Sequence, residues 1–310
     1  MNNLKLPPLF KALRPGQWIK NLLLFAAIIF NGKLFDPIFL LRSIEGFIVF
    51  CAISSASYLL NDIIDEPFDK KHPKKKFRPI ASGMFPKSRA FEIIILLTIL
   101  GFVAAFAIRV NFFFITVGFF ALHVLYSFYL KRFAILDILA IALSFVLRAF
   151  AGEVLTGLHL PVWLMFTVVF LSLFIAASKR RSEFTHEGTR TRTSLKHYHE
   201  KMLDFYVSTF ATASIVTYAM FTFIEGTLKF PKSEARLLTP LLLQYAPHIL
   251  ERKWLMITVP FVIIGIMRYA QLIYERSLGQ EPERLITSDM PLVLTVLGWG
   301  LSIILILYVI

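Results

Sequence analysis

The amino-acid sequence predicts an all-α, polytopic membrane protein: a bundle of nine transmembrane helices with a cytosolic cap, forming one membrane-embedded domain over residues 1–310. Three observations predict it. Of the 310 residues, 57% are hydrophobic and only 17% charged, and the mean hydropathy is +0.68, far too apolar for a water-soluble chain of this length. Apolar runs long enough to cross a bilayer recur along the chain, with no long polar stretch that would fold as a separate soluble domain. The basic residues collect on alternate sides of those runs.

In order, the runs fall at 18–35, 39–61, 90–108, 112–130, 135–155, 161–178, 203–225, 253–275 and 290–310, each long enough to span with tilt. With the amino terminus in the cytosol, segments 1–20, 64–89, 131–132, 179–201 and 276–289 face inward and carry 23 of the 33 Lys and Arg. Outside lie 8: Lys33, Arg42, Arg109, Lys229, Lys232, Arg236, Arg252 and Lys253, while Arg148 and Arg268 sit within helices. This asymmetry predicts a multi-pass protein of the bacterial inner membrane, amino terminus inside and carboxyl terminus outside. The net charge of +13 is then assigned to helix orientation and anionic lipid head groups, not to nucleic acid. The amino end lacks a short apolar core followed by a small-residue cleavage site, so it is expected to stay on the mature protein. Cys51 is the one cysteine, which excludes an intrachain disulfide and a cysteine-based metal site and leaves it a packing role. The outside stretch 226–253, with Pro231, Pro240 and Pro247, is expected to include a short interfacial segment.

Two inward loops, 61–89 and 179–201, are more polar than orientation requires. The first opens with Asn61-Asp62-Ile63-Ile64-Asp65-Glu66-Pro67-Phe68-Asp69. At 100° per residue a helix places Asp62, Asp65 and Asp69 within an arc of about 60°, with Asn61 beside them. Massed carboxylates repel one another unless a cation sits among them, and hard oxygen ligands that leave room for water and phosphate suit Mg²⁺, which would bridge to a diphosphate. Pro67 is a candidate kink that would bring Asp69 in from an irregular turn. The plainer reading is a solvated helix end paired with Lys70, Lys71 and Lys74. Acids this close to a bilayer are costly, which favours the functional one. Lys74, Lys76 and Arg78 follow before the turn at Ser82-Gly83 and would neutralise phosphate oxygens, some of the lysines serving topology alone. His72 reads as a turn residue, not a base.

The spacing Asn61-Asp62-x-x-Asp65-x-x-x-Asp69-x-x-His72-Pro73, followed by Arg78-Pro79-Ile80-Ala81-Ser82-Gly83, resembles the first motif of the UbiA superfamily of intramembrane prenyltransferases. Arg14-Pro15-x-Gln17-Trp18-x-Lys20-Asn21, Tyr126-Ser127-x-x-Leu130-Lys131, Asp137 and Arg148-Ala149-x-Ala151-Gly152 are similar to its decaprenyl-phosphate phosphoribosyltransferase branch. The likeness spans most of the chain. It implies a nine-helix fold, 5-phosphoribosyl 1-diphosphate as donor and a polyprenyl phosphate as acceptor, with release of diphosphate.

Members of that superfamily that use prenyl diphosphates carry a second aspartate-rich motif after the sixth helix. Here the stretch reads Ser178-Lys179-Arg180-Arg181-Ser182-Glu183, followed by Arg190, Arg192, Lys196 and Tyr198. One acidic and one basic cluster suit a ligand with a diphosphate at one end and a further phosphate at the other, as in phosphoribosyl diphosphate. The alternative is positive-inside charge, with Lys179 and Glu183 as a helical pair. Arg148 lies eleven residues after Asp137, on nearly the same helix face and some 16 Å deeper by helical rise. A buried Arg needs a partner: either Glu153 or a substrate phosphate. Asp137 is a candidate for the metal site or ribose hydroxyls, or else a plain helix-terminal acid. Tyr126 and Lys131 point to the same cavity mouth. Lys20 and Asn21 are expected to line the cavity, with Arg14 on phosphate and Trp18 as interfacial anchor. Arg268 and Tyr269 are candidates for the lipid phosphate or for snorkelling.

The reaction expected breaks the anomeric C–O bond as diphosphate departs, with inversion. A phosphate acceptor is already anionic, so no general base is needed. Two alternatives remain: a prenyltransferase using a prenyl diphosphate donor and an aromatic or other small acceptor, and a transporter. The second is disfavoured because the polar residues gather at one mouth.

Overall fold

A computed structural model describes residues 7–72, 75–187, 194–224, 254–276, 285 and 287–309. Among them the chain is helical and carries no strand. The longer helices are α1 (Pro8–Leu13), α2 (Ala26–Phe30), α3 (Pro37–Asp69), α4 (Lys87–Ile108), α5 (Val110–Phe128), α6 (Leu136–Thr156), α7 (Val162–Glu187), α8 (Glu200–Ile224), α9 (Val259–Arg276) and α10 (Met290–Ile304). Eight described helical stretches are long and apolar enough to cross a membrane. The expected run 18–35 corresponds to a shorter apolar stretch, Pro15–Phe30, wound as a 3-10 helix over Pro15–Phe25 before it relaxes into α2. With the eight spans this gives the multi-pass membrane bundle expected from the sequence. The expected interfacial segment at 226–253 lies outside the described residues.

The chain divides into two compact units: one built from residues within 1–24, 41–157 and 187–198, the other within 25–40, 158–186 and 199–310. In the first, Leu24, Val49, Phe50, Ile53, Phe112, Phe119 and Leu155 form the core. Phe50 meets Phe112 and Phe119 with ring centroids 5.8 and 5.0 Å apart. Small residues allow the close approaches: a Cβ on Gly152 would collide with the Leu24 carbonyl, and one on Gly46 with the Leu155 side chain. Such close contacts hold helices together where lipid tails remove the hydrophobic drive for helix–helix association. Along α4, Phe91, Ile95, Ile99, Val103 and Phe106 are exposed, as a lipid-facing stripe should be.

Polar side chains lock the second unit from within. The Tyr218 hydroxyl lies 2.6 Å from Thr258 Oγ1 and accepts from Trp299 Nε1 at 2.8 Å, tying α8 to the 3-10 turn that leads into α9 and to α10. Phe30 meets Phe221 edge to face at 5.5 Å. Arg268 makes a two-nitrogen pair with Asp289, which also caps α10 by accepting from Leu292 N at 3.1 Å.

Candidate active site

Helix α3 runs unbroken to Asp69 and carries the acidic motif on its last turns, with Pro67 inside the helix. Asp69 therefore arrives on the helix and not from an irregular turn. Asp62 and Asp69 are buried, at 2% and 4% exposed, which makes the identity of their partners decisive. The partners come from three separate segments. Arg14 Nη2 reaches Asp62 Oδ1 at 2.5 Å from the residue that ends α1. Arg78 Nη1, from the loop after α3, lies 3.1 Å from Asp62 Oδ1 and 2.6 Å from Asp69 Oδ2. Lys131 Nζ, from the loop between α5 and α6, reaches Asp65 Oδ1 at 2.5 Å. Asn61 donates to Asp65 Oδ2 at 2.9 Å and accepts from Ser127 at 3.2 Å, so the end of α5 is tied to the same face.

Of the lysines that directly follow the motif, Lys70 and Lys76 have their described contacts elsewhere. Lys70 and Lys87 pair with Glu66, one turn along α3 from Asp62. Lys76 is exposed and lies over the Phe77 ring, 5.2 Å from its centroid, so its expected place at the acids is not found. Lys74 lies outside the described residues. His72 accepts the Lys75 amide at 3.2 Å, a turn role as expected. Burial alone would depress the Arg14 guanidinium, but Asp62, with Asp69 behind it, more than offsets this and holds it above its ordinary value.

Among the described residues no three His, Cys, Asp or Glu side chains are grouped closely enough to form a metal cage by themselves. The expectation that Asp62, Asp65 and Asp69 together hold one ion is therefore not met by a preformed three-acid cage; Mg²⁺ commonly takes one or two carboxylates and completes its shell with water and phosphate. The donor chemistry fits: Asp62 and Asp69 are two hard carboxylates close enough to share one cationic group, Arg78 Nη1.

A second polar layer lies in the same unit. Arg148, 1% exposed, donates from Nε to Asn21 Oδ1 at 2.8 Å and from Nη1 to the Ser144 carbonyl at 2.6 Å, and lies over the Phe119 ring at 4.6 Å. Among the described residues it has no carboxylate partner, so the expected pairing with Glu153 is absent. Asn21 is wholly buried and also touches Cys51 Sγ at 3.4 Å. Lys20 donates to Gln17 Oε1 at 2.5 Å beside Phe145, and Trp18 donates to Ser55 at 3.0 Å. Tyr126 is half-buried on α5, next to Ser127. Asp137 is wholly buried at the start of α6 and accepts from the Tyr198 hydroxyl at 2.7 Å.

In the second unit the basic stretch behaves differently. Arg180 is buried and pairs with Glu183 one turn on. Arg181 pairs with Glu200 and Asp204, both at 3.1 Å, and lies over the Tyr274 ring at 4.5 Å. Lys179 is half-buried. Arg190, Arg192 and the Lys196 side chain lie outside the described residues. Sequence reasoning missed Tyr58, over which Arg14 stacks at 5.6 Å, and Ser127 as the partner of Asn61. The signal for Tyr58 was present, since it lies one turn before Asp62 on the same helix face.

The model of the UbiA prenyltransferase family matches residues 22–288. The chain belongs to the UbiA prenyltransferase family. Among its relatives, this family member is 34% identical over 299 residues to a decaprenyl-phosphate phosphoribosyltransferase of Mycolicibacterium smegmatis, covering 94% of this chain and 89% of that one. It is also 34% identical over 315 residues to the enzyme of that name from Corynebacterium glutamicum, covering 97% and 87%. Its fold matches a UbiA homolog from Archaeoglobus fulgidus, solved bound to DMAPP and Mg²⁺, with TM-score 0.68 and 18% identity over 97% of this chain and 99% of that one. This UbiA-family chain therefore shares its helical architecture with that homolog, and a multi-pass membrane location follows from its spans.

Proposed function

We propose that this chain transfers 5-phosphoribose from 5-phosphoribosyl 1-diphosphate to a polyprenyl phosphate, releasing diphosphate, with its acid cluster on the cytosolic side of the membrane. One observation carries the reading: cations from three separate segments, Arg14, Arg78 and Lys131, converge on Asp62, Asp65 and Asp69. Such a cluster holds a polyanion and its counter-ion together, because carboxylates recruit the ion and the cations meet oxygens it does not reach. The relatives named decaprenyl-phosphate phosphoribosyltransferase favour the sugar donor over a prenyl diphosphate.

Asp62 and Asp69 would hold Mg²⁺, with Asp65 kept in place by Asn61 and Lys131. The chemistry a bound Mg²⁺ supplies is neutralisation of the departing diphosphate. Arg78, which lies on both Asp62 and Asp69, would meet the diphosphate oxygens, and Arg14 and Lys131 would add charge at its flanks. As the anomeric C–O bond breaks, its electron pair leaves with the diphosphate. A phosphate oxygen of the acceptor supplies the pair for the new bond. These side chains orient the donor and screen its leaving group, and no side chain has to take a proton. Arg148, a buried guanidinium without a carboxylate, would receive a phosphate of either substrate deeper in the same unit.

The test is to incubate purified protein with Mg²⁺, labelled phosphoribosyl diphosphate and a polyprenyl phosphate. A labelled lipid and released diphosphate are expected. Turnover of a prenyl diphosphate with no labelled lipid would contradict the proposal.

A further inference from the structure

Among the described residues only two that are not glycine have positive φ, and both stand beside a cation of the acid cluster. One is Arg14 itself. The other is Ile135, at φ 69° and ψ −53°, with the Leu136 amide bonded to the Ala134 carbonyl at 2.8 Å. This is a γ-turn of the rare, strained hand, on a β-branched residue for which positive φ is especially unfavourable. Ile135 is 49% exposed, so packing of its side chain does not explain the strain.

A tyrosine hydroxyl holds the turn. Tyr198 Oη accepts the Ile135 amide at 2.6 Å and donates to Asp137 Oδ1 at 2.7 Å, so one buried hydroxyl clasps both sides of Leu136. Tyr198 is 2% exposed and Asp137 wholly buried. Among the described residues after 157, only 187 and 194–198 belong to the first unit, and Tyr198 is the last of them. Four residues before Ile135 stands Lys131, on Asp65.

We infer that Tyr198 and Asp137 are positioning residues: their hydrogen bonds keep the strained turn at Ile135 wound and thereby set Lys131 against the acid cluster. The inference rests on the donor-site reading above and changes the expectation that Tyr198 and Asp137 touch substrate. Strain of this kind persists only where surrounding contacts over-determine it, and the two bonds of the Tyr198 hydroxyl are the side-chain contacts described at this turn.

The experiment measures transfer by wild type, Tyr198→Phe, Lys131→Ala, the double variant, and Tyr198→Phe with Ile135→Gly. Tyr198→Phe should raise the donor KM and lower kcat/KM on the order of tenfold or more, as small displacements of a charged contact do. On the Lys131→Ala background the same change should cost under about twofold, because the residue through which it acts is gone. Ile135→Gly should restore most of the loss, since glycine adopts positive φ without a clasp. Equal losses with and without Lys131, no loss at all, or no rescue by glycine would each overturn the latch. If Tyr198→Phe does not fold, the same comparison is made on the Ile135→Gly background, where the turn is relaxed. Absence of transfer by wild type would instead overturn the donor-site reading.

Discussion

The two units each contain a cluster of arginines and carboxylates, and they are wired in opposite ways. In the first, every ion pair of Asp62, Asp65 and Asp69 among the described residues reaches a different segment: Arg14 before α3, Arg78 after it, Lys131 beyond α5. In the second, Arg180 is answered by Glu183 one turn away, and Arg181 by Glu200 and Asp204 near the start of the next helix. Local neutralisation fixes a helix end. Convergence from distant segments pays the entropic cost of several ordered loops for one polar cluster, which folding alone does not require. On that difference we propose the first cluster as the ligand site and assign the second a structural role.

The largest effect should come from Asp62→Asn, which keeps the shape and removes the charge shared by two arginines. Turnover should fall on the order of a thousandfold, while the protein elutes as wild type from a sizing column in detergent. Arg78→Lys should follow, with kcat/KM for the donor down on the order of a hundredfold, because an ammonium cannot span two carboxylates or grip a diphosphate as a guanidinium does. Arg181→Gln reverses the pattern: the melting temperature drops by a few degrees, as expected when a part-exposed pair worth about 1 kcal/mol is lost, and catalysis changes less than stability. Lys70→Ala should be the smallest, near zero in both assays, since its partner Glu66 keeps Lys87 and the lysine is 57% exposed. A large activity loss at Arg181 with little at Arg78 would break the comparison.

Eight spans and the face shared by Asp62, Asp65 and Asp69 were legible because each depends on local periodicity: about twenty apolar residues, or a fixed rotation per residue. The first span was read too long, since apolarity does not distinguish a 3-10 stretch from an α-helix. Which cations meet the acids was only half legible. Arg78 and Lys131 were named through the family resemblance, but the adjacent lysines looked equally good, and only the path of the loop turns Lys76 away. The basic stretch at 179–183 read as a phosphate-binding cluster; the counter-charges of Arg181, which are Glu200 and Asp204, were not legible there because they belong to the next helix. The strain at Ile135 was invisible, since nothing in an isoleucine announces positive φ.

The most direct measurement is calorimetric binding of inorganic diphosphate to the purified chain, with and without Mg²⁺, for wild type, Asp62→Asn and Arg181→Gln. Binding that needs Mg²⁺, vanishes in Asp62→Asn and survives in Arg181→Gln is the predicted result. Undiminished binding to Asp62→Asn, or its loss in Arg181→Gln alone, would contradict the assignment of the acid cluster as the diphosphate site.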